Sequence, residues 1–203
     1  LHLSIRRQRQ MCIRDRAKLL ISILAGTPTA ALQAGLATGA VAAPRVVRAM
    51  PNTPMAIGLG MVGLSAGAHA GAADLDLAES LFAPCAKVLR VSEAKMDAIT
   101  AVSGSGPAYF FRLAEALVAG AMGLGFSRDE AVLLVGTTGT GSWRYLVESG
   151  FEAAKLREQV TSPGGTTAAA LAVLTAAGFD QLWADALAAA ERRGRELAEA
   201  ARK

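Results

Sequence analysis

The segment TSPGGTT, residues 161–167, combines the features of a helix start that could bind an anion. Ser162 is a natural N-cap and Pro163 suits the first helical position, directly before an alanine-rich run. The next N–H groups would have no partner within the helix, and glycines carry no Cβ that would keep a ligand away. The helix dipole would favour an anion there by about 0.3–1 kcal/mol. The N–H groups concerned belong to Gly164, Gly165 and Thr166.

The charge pattern around this turn narrows the class of anion. Thr166 and Thr167 add hydroxyl groups, whereas no Lys or Arg occurs within three residues of the turn. A polyphosphate usually recruits a cation, so the pattern favours a singly charged carboxylate. The alternative is structural: the segment caps a buried helix and binds nothing.

Two other turns have the composition of ligand-binding or packing segments. In SGSGPAYFF, residues 103–111, the glycines allow close approach of a ligand or of another helix, and the pattern favours helix packing. RAMPNTP, residues 48–54, ends a predicted strand, and ligands of open α/β sheets bind at such ends. Asn52 and Thr53 would therefore contact a ligand or hold the turn, and the pattern favours neither.

Two further patterns do not indicate the sites that they resemble. GLGMVG, residues 58–63, matches G-x-G-x-x-G, but strand-like sequence follows it and no acidic residue ends a second strand about 20 residues later. We therefore predict no dinucleotide loop there. His69 has no Asp, Glu or Cys at ligand spacing, so no metal site is expected, and the G-x-S-x-G of a hydrolase does not occur.

The net charge of +4 comes from residues 1–16, which contain five Arg and one Asp. That segment could be a solvated tail, a targeting or nucleic-acid-binding arm, or non-native sequence translated from the end of a gene fragment, and we favour the last. No aromatic residue among its arginines could stack on bases, so we expect no nucleic-acid partner. Two cysteines without a CxxC pattern suit a reducing compartment, and the uncharged runs are too rich in Gly, Thr and Ala for a membrane span. We expect a cytoplasmic protein.

The elements that position these turns change character along the chain. Up to residue 92, short apolar runs alternate with helical patterns, which predicts an α/β fold with a mostly parallel sheet. The predicted strands are residues 18–24, 45–50, 60–67 and 87–92, and the predicted helices are residues 27–39, with Thr27 as N-cap, and 74–86.

From residue 93 onward, only helical patterns occur. Ser127 and Glu130 form the S-x-x-E of a capping box, and Gly178 follows the helix that begins at Ser162. Many small apolar residues predict burial on several faces and hence a homo-oligomer. The predicted helices are residues 106–125, 127–149, 152–159, 162–177 and 180–203.

Taken together, RAMPNTP, AVSGSGPAYFF and VTSPGGTTAAAL resemble the pyrroline-5-carboxylate reductase family in order and spacing, over roughly residues 19–200. The resemblance implies a remnant of a Rossmann-type dinucleotide-binding domain over residues 17–97. An all-α substrate-binding and dimerisation domain would follow over residues 98–203, and residues 1–16 would be non-native or disordered. It also implies reduction of 1-pyrroline-5-carboxylate to L-proline by NADPH or NADH, in a homodimer that can assemble further.

The resemblance assigns roles to individual residues. Thr167 would be the catalytic residue, as the hydroxyl nearest the imine, and no metal is implied. A protonated imine is already electrophilic, so positioning would supply much of the catalysis. The substrate would be held by Ser162, Gly165, Thr166 and Thr167, in a pocket also lined by Glu93 and Thr100. The cofactor side would comprise Leu24, Ala25, Gly26, Asn52, Thr53 and Gln159.

One departure from the family pattern is large. The family begins with a strand, a G-x-G-x-x-G turn and a helix, and nothing of that kind precedes Lys18. We therefore expect this chain alone to bind NAD(P)H poorly and to be inactive or nearly so. Two alternatives remain: a non-catalytic helical dimerisation remnant, and a β-hydroxyacid-type dehydrogenase. The second would need a G-x-x-G-x-x-K helix, which neither Lys155 nor Lys203 provides.

Overall fold

The computed structural model describes residues 18–37 and 43–200, so the segment 1–16 discussed above lies outside the described part. The chain forms two units. The first contains the described residues up to Pro107 together with those from Leu187 onward, and the second is Ala108–Ala186. The domain boundary that we place after residue 97 stays a prediction.

A four-stranded sheet in the order β1-β2-β3-β4 forms the centre of the first unit. β1 pairs with β2 and β3 with β4 in parallel, whereas β2 and β3 are antiparallel. The connection from β2 to β3 contains only a 3-10 turn, which is too short for the crossover that parallel strands require. The predicted α/β fold with a mostly parallel sheet is confirmed. The strands are β1 Leu19–Ser22, β2 Arg45–Pro51, β3 Gly60–Ala66 and β4 Ala86–Arg90.

The core of this unit lies between the sheet and one helix. Val47 and Ala49 of β2 and Val62 and Leu64 of β3 alternate along their strands and are fully buried, together with Ala78. Burial of each Val or Leu contributes about 1.5–3 kcal/mol. The helices and turns of the unit before Gly106 are α1 Thr29–Leu36, 3-10 turns Thr53–Ile57 and Glu93–Lys95, α2 Ala72–Phe82, α3 Met96–Ile99 and a π-helical segment Thr100–Gly104.

The segment GLGMVG has the structure that its context predicts. Gly60 begins β3, so no helix starts at the third glycine of the pattern. A Cβ on Gly63 would lie 2.6 Å from Ile99, which shows that this glycine serves close packing rather than a ligand.

Only helices follow from Gly106 onward in the described residues, as predicted. The capping box is confirmed: the Ser127 N–H donates to Glu130 Oε2 at 2.8 Å, and the Glu130 N–H donates to Ser127 Oγ at 3.4 Å. Gly178 has a φ of +71° directly after a helix, as its predicted position requires. No helix in residues 18–37 and 43–200 is both long and apolar enough to cross a bilayer. The helices are α4 Gly106–Gly123, α5 Arg128–Ser149, α6 Ala153–Gln159, α7 Thr166–Ala176 and α8 Phe179–Ala200.

Candidate functional site

The segment TSPGGTT forms a β-turn before it forms a helix. The Gly165 N–H donates to the Ser162 carbonyl at 3.0 Å, and Gly164 has a φ of +70°. With Pro163 as the first central residue, these are the marks of a type II turn. The prediction that Ser162 is the N-cap is therefore wrong, because the turn delays the helix by three residues and makes Gly165 the N-cap of α7.

The delayed helix start moves the exposed donors along the chain. Gly165 has no side chain that could cap α7, and the first intrahelical donor is the Ala169 N–H, which reaches the Gly165 carbonyl at 3.1 Å. The free donors are therefore the N–H groups of Thr166, Thr167 and Ala168 rather than the predicted set. The positive end of the helix dipole points at the same place. An anion can bind there, beside the two threonine hydroxyls.

Gly165 allows the close approach of Ser162. A Cβ at Gly165 would collide with Ser162 Oγ and would lie 3.1 Å from the Ser162 carbonyl oxygen. Any side chain at this position must therefore displace the serine hydroxyl. Ser162 and Thr166 are exposed, whereas Gly165 and Thr167 are half-buried. Gln159, the last residue of the preceding helix α6, is exposed.

In the first unit, a buried cation that we did not predict lies next to a predicted site residue. Arg48 in the middle of β2 is 2% exposed, and its Nη1 donates to Glu93 Oε1 at 3.0 Å. Its Nη2 donates to Asp97 Oδ1 at 3.3 Å. The sequence does contain a signal for this ion pair. Arg48 lies within the apolar run RVVRAM of a predicted buried strand, and a buried guanidinium requires carboxylate partners.

A hydrogen bond to Glu93 shows that α1 does not begin where we predicted. The same Oε1 accepts the N–H of Thr29 at 3.2 Å, and Pro28, not Thr27, is the N-cap. The predicted N-cap Thr27 is wrong because a carboxylate 64 residues away takes the place of a local side-chain cap. Two residues before the N-cap Pro28, the loop of Leu24, Ala25 and Gly26 ends.

The loop 24–26 follows the carboxyl end of β1. Leu24 and Ala25 are exposed, and Gly26 is buried with a φ of +66°. A Cβ on Gly26 would lie 2.7 Å from the Leu197 Cβ of α8, so only glycine fits both the backbone conformation and the space.

The turn after β2 is held by Asn52. Its Nδ2 donates to the Ser103 carbonyl at 3.2 Å, and its Oδ1 accepts the Met61 N–H at 2.9 Å. Ser103 belongs to the π-helical segment that begins with Thr100, whose hydroxyl donates to the Met96 carbonyl at 2.9 Å. The structure therefore brings the turn at Asn52 against the segment of Thr100. Thr53 beside Asn52 is exposed.

The predicted site residues divide between the two units. Those of the first unit are Leu24, Ala25, Gly26, Asn52, Thr53, Glu93 and Thr100. Those of the second unit are Gln159, Ser162, Gly165, Thr166 and Thr167. Among the described residues no group of three or more His, Cys, Asp and Glu side chains could hold a metal ion.

Among the described residues, two ionisable groups outside the predicted site have shifted pKa values. Hydrogen bonds to Asp76 and then to Glu79 raise the pKa of Arg90. Hydrogen bonds from the Ser127 hydroxyl and then from its backbone N–H lower the pKa of Glu130. The hydrogen bonds that cause both pKa shifts lie at the surface, and they hold local structure in place.

The second unit contains an apolar groove of about 1100 Å³ between α4, α5 and α6. Phe110 and Trp143 meet edge to face in its wall, with ring centroids 5.0 Å apart. Trp143 is 56% exposed and Phe111 63%, and in residues 108–186 only Ala131 is a fully buried apolar residue. Apolar surface of this kind marks an interface.

The sequence matches known proteins of one family. Residues 93–197 match the family model described as pyrroline-5-carboxylate reductase dimerisation. The pyrroline-5-carboxylate reductase of Pseudomonas aeruginosa is 45% identical over 184 residues, which are 90% of this chain and 66% of the relative. That of Synechocystis is 40% identical over 179 residues, 88% of this chain and 65% of the relative. The chain thus spans just under two thirds of the length of these relatives.

Solved structures agree with the sequence relatives. A pyrroline-5-carboxylate reductase from Coxiella burnetii has a TM-score of 0.82 and 38% identity, and the match covers 91% of this chain and 69% of that one. Plasmodium falciparum pyrroline carboxylate reductase with NADP bound has a TM-score of 0.81 and 29% identity, with 91% and 73% covered. The matched family model alone extends over more than half of the sequence. The chain therefore belongs to the pyrroline-5-carboxylate reductase family.

Proposed function

We propose that this protein reduces the C=N bond of 1-pyrroline-5-carboxylate to give L-proline, with NADPH or NADH as the hydride donor. The observation that carries the proposal is the turn Ser162–Gly165, which leaves the first N–H groups of α7 uncapped beside the hydroxyls of Ser162, Thr166 and Thr167. No lysine or arginine lies within three residues of this turn. The donor set suits a single carboxylate, which the family's substrate carries.

On the substrate side, each group has a definable task. The N–H groups of Thr166 and Thr167 would donate to the substrate carboxylate and fix the orientation of the ring. The Thr167 hydroxyl would face the ring nitrogen, which bears a proton in the reactive imine and keeps it in the product. Ser162 would complete the carboxylate contacts, and Gly165 would serve by leaving room for the serine hydroxyl.

On the cofactor side, the loop 24–26 would lie against the nicotinamide ring of NAD(P)H. It follows the carboxyl end of a parallel strand, where open α/β sheets bind ligands, and exposes only Leu24 and the small Ala25 there. Bound NAD(P)H would supply the hydride that converts C=N to CH–NH. Thr53 and Gln159 would add polar contacts from exposed positions. Asn52 would act by holding its turn, since its amide already bonds to Ser103 and Met61.

We further propose that the protein acts as a homodimer in the cytoplasm and that the apolar groove of the second unit is part of the dimer interface. The second unit buries little apolar surface within itself, and Phe111 and Trp143 are exposed. A second copy that covers these two side chains would therefore stabilise it. The family model that matches this region is named for dimerisation.

The activity can be tested with two proteins. One is the chain itself, and the other is a hybrid in which the family's opening strand, G-x-G-x-x-G turn and helix, taken from the Pseudomonas aeruginosa relative, precede residue 18. NAD(P)H oxidation with 1-pyrroline-5-carboxylate and formation of proline are measured together. We expect turnover in the hybrid and little in the chain. No proline from a folded hybrid would contradict the proposal and favour a non-catalytic dimerisation module.

A matched pair of variants tests the role of Thr167 in the hybrid. Thr167→Val removes the hydroxyl at nearly constant volume, and we expect kcat/KM to fall about 100-fold. Thr175→Val makes the same change near the other end of α7 and should leave kcat/KM within about twofold. Equal effects of the two variants would exclude the proposed role of Thr167.

A further inference from the structure

Strand β2, one of the two central strands of the sheet, contains a cation that is shielded from solvent. Arg48 has apolar neighbours on both sides in sequence, and its side chain is 2% exposed. A buried guanidinium is tolerated when carboxylates surround it with hydrogen bonds. Glu93 and Asp97 provide them, at 3.0 and 3.3 Å. Both carboxylates come from the segment directly after the sheet, so Arg48 fixes that segment to β2.

One carboxylate oxygen of Glu93 makes two contacts. Oε1 accepts from Arg48 and also from the N–H of Thr29, the first residue of α1, at 3.2 Å. Oε2 is buried, and none of the described residues donates to it. Glu93 therefore connects the buried cation, through a single atom, to the start of α1, three residues beyond the loop 24–26. A substitution that changes only the Oε2 atom of Glu93 would leave the hydrogen bonds from Arg48 and Thr29 in place, because both are made to Oε1.

The loop is also held from its other side. Leu197 of α8 packs on Gly26, and three residues earlier Gly194 lies against Asp97, since a Cβ there would be 3.3 Å from the Asp97 Cβ. The contacts form a closed ring. Arg48 pairs with Glu93, and Glu93 accepts from Thr29, which follows the loop 24–26 in sequence. The loop contacts α8 through Gly26, and α8 contacts Asp97, which pairs with Arg48. A loop held in such a ring keeps one conformation.

We infer that Arg48 is a positioning residue that fixes the loop 24–26 through Glu93 Oε1. The inference rests on the proposed function for the catalytic meaning of that loop, because the loop is the proposed backing of the nicotinamide ring. Glu93 then contributes to the site from behind the loop, with Oε1 already shared between Arg48 and Thr29. Its contribution is geometric: it sets where the loop backbone stands.

Hydrogen exchange of the full chain tests the structural step without any activity. In Arg48→Met, amides of residues 24–30 should exchange at least about tenfold faster than in the wild type. The matched control is Arg90→Met, which also removes an arginine that pairs with two carboxylates, Asp76 and Glu79, but at an exposed position. The control should leave exchange in residues 24–30 within about twofold. Equal exchange in the two variants would overturn the inference.

Two variants of Glu93 keep the test decisive if Arg48→Met does not fold. Glu93→Ala removes the acceptor of the Thr29 N–H and should give the same faster exchange. Glu93→Gln removes the charge but keeps a carbonyl oxygen that can take the place of Oε1, with its NH₂ at the position of the unpartnered Oε2. We expect Glu93→Gln to retain most of the protection. Loss of protection in both variants alike would show that charge, not the acceptor, matters, and would contradict the inference.

Kinetics of the hybrid separate positioning from general destabilisation. Arg48→Met should raise KM for NAD(P)H at least about fivefold and raise KM for 1-pyrroline-5-carboxylate by a smaller factor, since its partner Glu93 also belongs to the predicted substrate pocket. Equal changes in both KM values, or none, would contradict the role of the loop. A hybrid without activity would refute the proposed function alone, since the exchange experiment still decides whether Arg48 holds the loop.

Discussion

Alanine substitutions at Gly164 and Gly165, two adjacent glycines in the turn before α7, should have different consequences: one for stability and the other for substrate binding. At Gly164 there is open space for a Cβ, but the φ of +70° strains any other residue. At Gly165 the backbone is extended, but a Cβ would collide with Ser162 Oγ. Gly164→Ala therefore tests backbone strain, and Gly165→Ala tests the position of the serine hydroxyl.

The magnitudes follow from these two geometries. Gly164→Ala places alanine in the left-handed region, which costs about 1–2 kcal/mol and lowers Tm by about 2–8 °C for a chain of this length. In Gly165→Ala the serine hydroxyl can rotate away, so we expect a stability cost of only about 0.5–1 kcal/mol. The displaced hydroxyl no longer reaches the substrate, and loss of one hydrogen bond to a carboxylate, about 1.5–3 kcal/mol, raises KM about 10- to 150-fold.

Thermal unfolding of both variants and KM for 1-pyrroline-5-carboxylate in the hybrid measure the two effects. We expect each variant to change a different quantity: Gly164→Ala has the lower Tm, and Gly165→Ala has the higher KM. A wild-type KM in Gly165→Ala, or equal KM values in the two variants, would refute the assignment of this turn to the substrate carboxylate.

Three further predictions concern other parts of the molecule. Because the folded-state pKa of Glu130 is lowered, its contribution to stability is present above the unfolded-state pKa and is lost as pH falls through the folded value; Ser127→Ala should raise the pKa of Glu130, as carboxylate NMR titration can measure. Trp143→Glu should convert the proposed homodimer to a monomer in analytical ultracentrifugation, because burial of a charged side chain in the apolar groove is unfavourable. Gly26→Ala should lower the Tm by several degrees, about 2–4 °C per kcal/mol, because both the φ of +66° and the contact with Leu197 oppose a Cβ.

Local sequence signals predicted the elements well where the causes are local. The capping box of Ser127 and Glu130 and the glycine after α7 depend on residues within one turn, and both are confirmed. The strand predicted over residues 60–67 is observed as Gly60–Ala66, in a segment where Gly67 and Gly71 weaken the alternative of a helix. These are cases in which neighbouring residues alone decide the conformation.

The start of α7 shows a conflict between two local signals. Ser-Pro suits an N-cap and N1, but Pro-Gly equally suits the central positions of a type II turn. The structure has the turn, because Gly164 adopts a positive φ that a helix does not allow. Because the segment is compatible with both a helix start and a turn, its sequence does not reveal which one forms. The free N–H groups of the candidate site are therefore those of Thr166, Thr167 and Ala168 instead of the predicted ones.

The start of α1 could not be predicted from nearby residues. Thr27 has the right type for an N-cap, but the Thr29 N–H is satisfied by Glu93, 64 residues away. Arg48 was missed for the same reason: its role is visible only once the fold places Glu93 and Asp97 beside it. Long-range polar contacts of this kind depend on tertiary structure.

A crystal structure with bound L-proline would show directly which groups hold the substrate carboxylate. We expect the proline carboxylate within hydrogen-bond distance, about 2.7–3.2 Å, of the Thr166 and Thr167 N–H groups, with the Ser162 hydroxyl beside it and the Thr167 hydroxyl towards the ring nitrogen. A carboxylate held instead by a lysine or arginine elsewhere, with only water at the first turn of α7, would contradict this expectation.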